Sequence, residues 1–141
     1  MTGYKSSRFR YDCVARNCYY EQLPDWDDLI ECFPRGIAPT DVDGLVEIGS
    51  NLLFMEQKGP GVPIPDPQRL ALRRASRRPG ITTIFFRPPL RTASDLECLI
   101  FGQGPVDGWQ PRSREWLKDW LRVWATEADG HPYAASDDGA A

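Results

Sequence analysis

The pattern that most restricts this chain is a pair of apolar runs: Leu45-Val46-Glu47-Ile48, then Gly49-Ser50-Asn51, then Leu52-Leu53-Phe54-Met55, followed at once by Glu56-Gln57-Lys58. Two such runs joined by three turn-forming residues predict an antiparallel hairpin. The second arm is apolar at four consecutive positions, so both of its faces need cover, as in an interior strand. Residues i, i+2 and i+4 of a strand share a face, which aligns Leu52, Phe54, Glu56 and Lys58. Glu56 and Lys58 therefore emerge side by side where the buried part ends, and Asp43 enters the first arm at the corresponding end. Three charged groups against an apolar wall are costly unless compensated. A hard divalent cation would compensate them, taking oxygen ligands from Asp43, Glu56 and the Gln57 carbonyl and leaving room for water and a phosphate oxygen.

The remaining elements follow from periodicity. Trp26, Leu29, Ile30 and Phe33 fall at helical spacing, with Asp25 placed to cap the run and Pro34 and Gly36 to end it. Gln68 to Arg78 reads as a basic helix closed by Pro79-Gly80. The β-branched and aromatic run Ile81 to Phe86 predicts a third strand, and Leu96 to Phe101 a fourth. Trp116, Leu117, Trp120, Leu121, Val123 and Trp124 line one face of a helix expected to start near Pro111 and to cover the sheet. Tryptophans at this spacing are more often core than ligand platform. The order implies an α/β (α+β) fold, a mixed central sheet of about four strands flanked by helices. At 141 residues the chain fits one domain, read as 1–127, with 128–141 as a flexible tail of Ala, Asp, Gly and Ser.

Composition narrows the class. No apolar stretch approaches the roughly 20 residues that span a bilayer, and Lys5, Arg8 and Arg10 precede no apolar signal region, so a cytoplasmic protein without membrane contact is expected. Cys13, Cys18, Cys32 and Cys98 form no CxxC pair, and the one histidine, His131, sits in the expected tail, which favours buried free thiols over zinc. The net charge is −3, but its distribution is uneven. Glu21 to Glu31 carries five acids and no base, whereas Arg69 to Arg91 carries Arg69, Arg73, Arg74, Arg77, Arg78, Arg87 and Arg91 and no acid. The second segment suits nucleic-acid phosphate, with Arg69, Arg73, Arg74 and Arg77 as the candidate contacts.

Phosphodiester cleavage needs an activated water, neutralisation of charge growing on phosphorus and stabilisation of the leaving oxygen. Thr40-Asp41-Val42-Asp43-Gly44 followed by Phe54-Met55-Glu56-Gln57-Lys58, thirteen residues from Asp43 to Glu56, resembles the PD-(D/E)XK nucleases, with a hairpin spacing similar to that of archaeal Holliday-junction resolvases and VRR-type nuclease modules. Pro24-Asp25-Trp26 and Cys32-Phe33-Pro34-Arg35-Gly36-Ile37 are similar to uncharacterised phage and prophage members, and the likeness covers roughly Asn17 to Phe86. The resemblance implies a restriction-endonuclease-like core and Mg2+- or Mn2+-dependent cleavage of DNA. It makes Asp43 and Glu56 metal ligands, Lys58 the catalytic lysine and Gln68 a further catalytic residue. It also implies an extra acid on the first helix, Glu31, with Asp27 and Asp28 as alternatives. Val42 stands where the motif has proline. The resemblance also implies a homodimer, or a protein partner supplying specificity, since small members of this fold often rely on one and the chain has little room for a sequence-reading domain of its own.

Blander readings stand beside this one. An E-x-K triplet suits any exposed strand edge, and Asp43-Gly44 alone is a turn signal. A calcium loop is excluded, because Gly44 as its sixth position would put Pro39 first and Ser50 twelfth. The rival functions are a catalytically silent nuclease-fold module that binds a protein or DNA, and a structural phage protein assembling through the tryptophan helix.

Overall fold

The computed structural model describes residues 27–88 and 95–133, and the chain divides into two units, Met1–Pro39 and Thr40–Ala141. The first unit contains helix α1 (Asp27–Ile30) and a 3-10 turn at Pro34–Gly36. The longer amphipathic helix expected through Phe33 is not formed. Backbone bonds from Cys32 to Leu29 and from Phe33 to Ile30 tighten the chain into i→i−3 turns, and Pro34 follows. Leu29, Phe33 and Cys32 are exposed, so Cys32 is not a buried thiol. Trp26, Asp25, Cys13 and Cys18 lie outside the described residues.

The second unit is built on one five-stranded sheet in the order β1 (Gly44–Ile48), β2 (Asn51–Gln57), β3 (Ile81–Arg87), β4 (Leu96–Phe101) and β5 (Gln110–Arg112). Only β2 and β3 are parallel, linked by α2 (Asp66–Ser76); the other neighbours are antiparallel. The fold is thus α+β with a mixed sheet, as the element order implied, with β5 added. Pro111 belongs to β5 and not to a helix. It sits on an edge strand, where a missing N–H is tolerated. Helix α3 (Arg114–Gly130) starts three residues after Pro111, where the Ser113 hydroxyl accepts the Trp116 N–H at 3.0 Å.

The hairpin turn is tighter than three residues. Ile48 pairs with Asn51, leaving Gly49 and Ser50 as the loop, both with positive φ (57° and 66°), the geometry of a type I′ turn. Gly49 has a second reason to be glycine, since a Cβ there would meet the Ala128 carbonyl at 3.0 Å. That contact belongs to a larger one. The Asn51 side-chain amide donates to the carbonyls of Ala128 and His131, and the Tyr133 N–H donates to Gly49. Ala128 is buried, so packing does not end at Glu127 as the composition implied. Residues 134–141 lie outside the described residues.

Each sheet face has its own core. On one face Leu53, Ile84, Leu96 and Cys98 pack against Leu117, with Trp116, Trp120, Leu121 and Trp124 of α3 around them. Val123 does not join this face and is 62% exposed, being roughly 100° around the helix from Trp124. Burial raises the Cys98 thiol to about 11, which keeps it protonated and inert. On the other face Phe85, Leu99 and Phe101 pack against Leu72 of α2, with Phe54, Ile64 and Trp109 at the border. A buried hydroxyl pair, Ser76 and Thr83 at 2.8 Å, ties the end of α2 to β3. No helix among the described residues is long and apolar enough to cross a membrane.

Candidate functional site

The alternation along β2 sends Leu53 and Met55 to the α3 face and Phe54 and Glu56 to the α2 face. Glu56 is therefore carried by strand geometry into a covered position, and it is 1% exposed. Lys58, two residues on, shares this face, half-buried. Its backbone N–H donates to Phe86 at 3.0 Å, which prolongs the pairing with β3 past the end of β2. Gly44 pairs with Met55, so Asp43 stands opposite Glu56 at the open end of the hairpin. Its Oδ2 accepts the Gln57 backbone N–H at 2.9 Å. Thus Asp43, Glu56 and Lys58 come together at one end of the sheet.

Gln68 closes the cluster from above. It sits in the first turn of α2, is buried, and spends its whole side chain there. Its Nε2 donates to Glu56 Oε1 at 3.0 Å and to the Asp41 carbonyl at 3.2 Å, while its Oε1 accepts from Lys58 Nζ. One amide thus links the end of β2, the approach to β1 and the start of α2. The Asp41 carbonyl had no sequence signal, since any residue type supplies one.

Electrostatics follow from this packing. Burial, then the negative charge of Asp43 and the hydrogen bond between the two side chains, pushes the Glu56 carboxyl up to about 7; Lys58 pulls the other way. Two carboxyls this close cannot both ionise cheaply without a cation between them. The donor set is hard oxygen: two carboxyl groups, with the Gln57 backbone beside them. It fits a hard divalent ion such as Mg2+ or Mn2+ better than a soft one. Among the described residues no three His, Cys, Asp or Glu side chains form a metal-holding group, so the acidic contribution is a pair. Glu31 lies in the first unit, exposed, just beyond α1; the constellation above is built from the second unit alone.

The three arginines of α2 and Arg77, which caps its C-terminus, divide. Arg73 is committed to structure: its guanidinium donates to the carbonyls of Gly102 and Gly104 and lies 5.8 Å from the Phe101 ring. Arg69 makes an exposed pair with Asp66, and Arg74 and Arg77 are exposed. A separate cleft of about 250 Å³ lies on the α3 face, walled by Cys98, Ile100, Gln110, Arg112 and Trp116. Compared with protein-family models, with curated proteins and with solved structures, the chain finds no match.

Proposed function

We propose that this chain is a divalent-metal-dependent nuclease with a PD-(D/E)XK-type core, hydrolysing phosphodiester bonds in DNA. The observation that carries the reading is the convergence of Asp43, Glu56 and Lys58 at one sheet end, with Glu56 buried beside Asp43 and Lys58 held by Gln68. Asp43, Glu56 and the Gln57 carbonyl would hold the ion. When bound, Mg2+ or Mn2+ supplies a Lewis acid that offsets phosphate charge and acidifies water.

The chain's own groups do the rest. Lys58 presents an ammonium that orients the attacking water and offsets negative charge on the phosphoryl oxygens as they gain it. Gln68 fixes that ammonium and keeps the Glu56 carboxyl turned toward Asp43. Arg74 and Arg77, and Arg69 through a pair too exposed to hold it, offer cations to the DNA backbone. The apolar wall of buried Phe85 and partly buried Phe54 limits water on the side away from the substrate.

The test uses purified protein with supercoiled, linear, single-stranded and branched DNA, in Mg2+, Mn2+ or EDTA, beside Lys58→Ala. Metal-dependent cutting should fall about 100-fold or more in the variant, the scale of losing one charge-stabilising donor. Equal cutting by both proteins refutes the assignment. A second reading has its own support: the amide of Gln68 satisfies both Glu56 and Lys58 internally, an arrangement that a binding module without catalysis would also keep. DNA bound in EDTA and left intact in Mg2+ and Mn2+ selects that reading.

A further inference from the structure

The parallel register of β2 and β3 pairs Glu56 with Phe85 and Gln57 with Phe86. One step further, with the Lys58 N–H on the Phe86 carbonyl, Arg87 becomes the strand neighbour of Lys58. Neighbouring strands lie about 4.8 Å apart. Both side chains are on the α2 face, because Arg87 alternates with Phe86 and shares the side of Phe85 and Trp109.

Arg87 is held more firmly than a surface arginine. Its side chain is 14% exposed; Nε donates to Glu97 Oε1 at 3.0 Å, Nη1 donates to the Val62 carbonyl at 2.9 Å, and the guanidinium lies 3.8 Å from the Trp109 ring centre. The Val62 carbonyl belongs to the loop that joins Lys58 to α2. Two edges of the guanidinium are used. Among the described residues its Nη2 has no hydrogen-bond acceptor. An arginine immobilised by stacking and by a carboxylate, with donor capacity left, is pre-organised to take a phosphate oxygen.

We propose that Arg87 binds the DNA phosphate next to the one held at Asp43, Glu56 and Lys58, with Trp109 and Glu97 setting the guanidinium plane. The proposal rests on the nuclease reading and adds a substrate-positioning residue to it. Phosphate binding by Arg87 continues the row of cations from Lys58 across β3, so the backbone would run over the ends of β2 and β3. Glu97 stays on Nε as an internal counter-ion, and its negative charge offsets part of the attraction between Arg87 and the phosphate.

The test measures binding of a short fluorescein-labelled DNA duplex by anisotropy, in EDTA over a KCl series. Each phosphate contact contributes about 0.9 to the slope of log K against log salt. Arg87→Gln combined with Glu97→Gln, which leaves neither partner charged and buried, should lower the slope by about that amount relative to Glu97→Gln alone. Arg87→Lys, keeping the charge, should retain most of it. Glu97→Gln alone should bind several-fold tighter than wild type. A purely structural arginine would leave the slope unmoved, and an equal slope in the double variant overturns the proposal. Should the double variant not fold, Glu97→Gln decides, and binding no tighter than wild type overturns it. A wild type that neither binds nor cuts the duplex removes the nuclease reading as well; one that binds or cuts, with slopes independent of Arg87, removes this proposal only.

Discussion

Gln68 donates its side-chain amide to the Glu56 carboxyl at 3.0 Å, both side chains lying beneath the start of α2. The same amide carries the Lys58 ammonium and the Asp41 carbonyl, so three segments depend on it. Gln68→Leu keeps the volume and removes every one of these bonds. A buried polar group left without its partner costs about 1–3 kcal/mol. Urea unfolding should show a loss in that range, whereas Arg74→Ala, on an exposed position of the same helix, should be neutral within about 0.5 kcal/mol. An equal effect of the two would mean that the network contributes nothing to folding.

The raised carboxyl of Glu56 makes stability depend on pH in an unusual direction. In the unfolded chain the group titrates near its ordinary 4.5, and in the fold at about 7. Between these values the folded protein holds a proton that the unfolded chain has released. Stability from this group is therefore full below 4.5 and is lost as pH rises toward and through about 7, by roughly 3 kcal/mol at most. Denaturation midpoints followed across that window should fall for wild type, and Glu56→Gln should flatten this part of the profile. A profile unchanged by Glu56→Gln would place the titration elsewhere.

Cation binding should reverse that loss. A divalent ion requires Glu56 ionised and so competes with its proton, which makes affinity rise with pH through about 7. Added Mg2+ should raise the melting temperature on the alkaline side of that value and have little effect well below it, with the gain growing with ion concentration as linkage requires. Asp43→Asn removes half of the carboxylate pair and should abolish the shift. A shift that survives in the variant would assign the ion to another place.

The hairpin and the alignment of Glu56 with Lys58 were legible because a strand's two-residue period is read directly from adjacent residues. Leu53 and Phe54 had to face opposite cores, and Glu56 followed Phe54. Gln68 was legible as a helix residue near the site, with a catalytic role implied by the resemblance alone; its three hydrogen bonds depend on how α2 lies over β2, which no local pattern encodes. Arg87 stood in the sequence as one member of a basic run. Its place beside Lys58 needs the knowledge that β2 and β3 are parallel neighbours, a non-local fact. Arg73 shows the converse, since a basic-helix pattern cannot tell a solvent-facing arginine from one that clasps the Gly102 and Gly104 carbonyls. β5 was hidden because Gln110-Pro111-Arg112 has no strand-forming residue and pairs only through β4.

Helix α3 provides a test of the same distinction. Sequence spacing put Val123 on the buried face with Leu117, yet Leu117 is 3% exposed and Val123 62%. Leu117 fills the layer between Leu53, Ile84, Leu96 and Cys98, so Leu117→Ala opens a cavity in a core with close neighbours on several sides. The expected cost is about 2–5 kcal/mol. Val123→Lys replaces an exposed β-branched residue by a good helix former and should change stability by less than about 0.5 kcal/mol in either direction. Urea denaturation of the two variants checks the contrast. If Val123→Lys proved as damaging as Leu117→Ala, the face that α3 turns to the sheet would have to include Val123, and a rotation of the helix by roughly 100° would carry Trp124 away from the core.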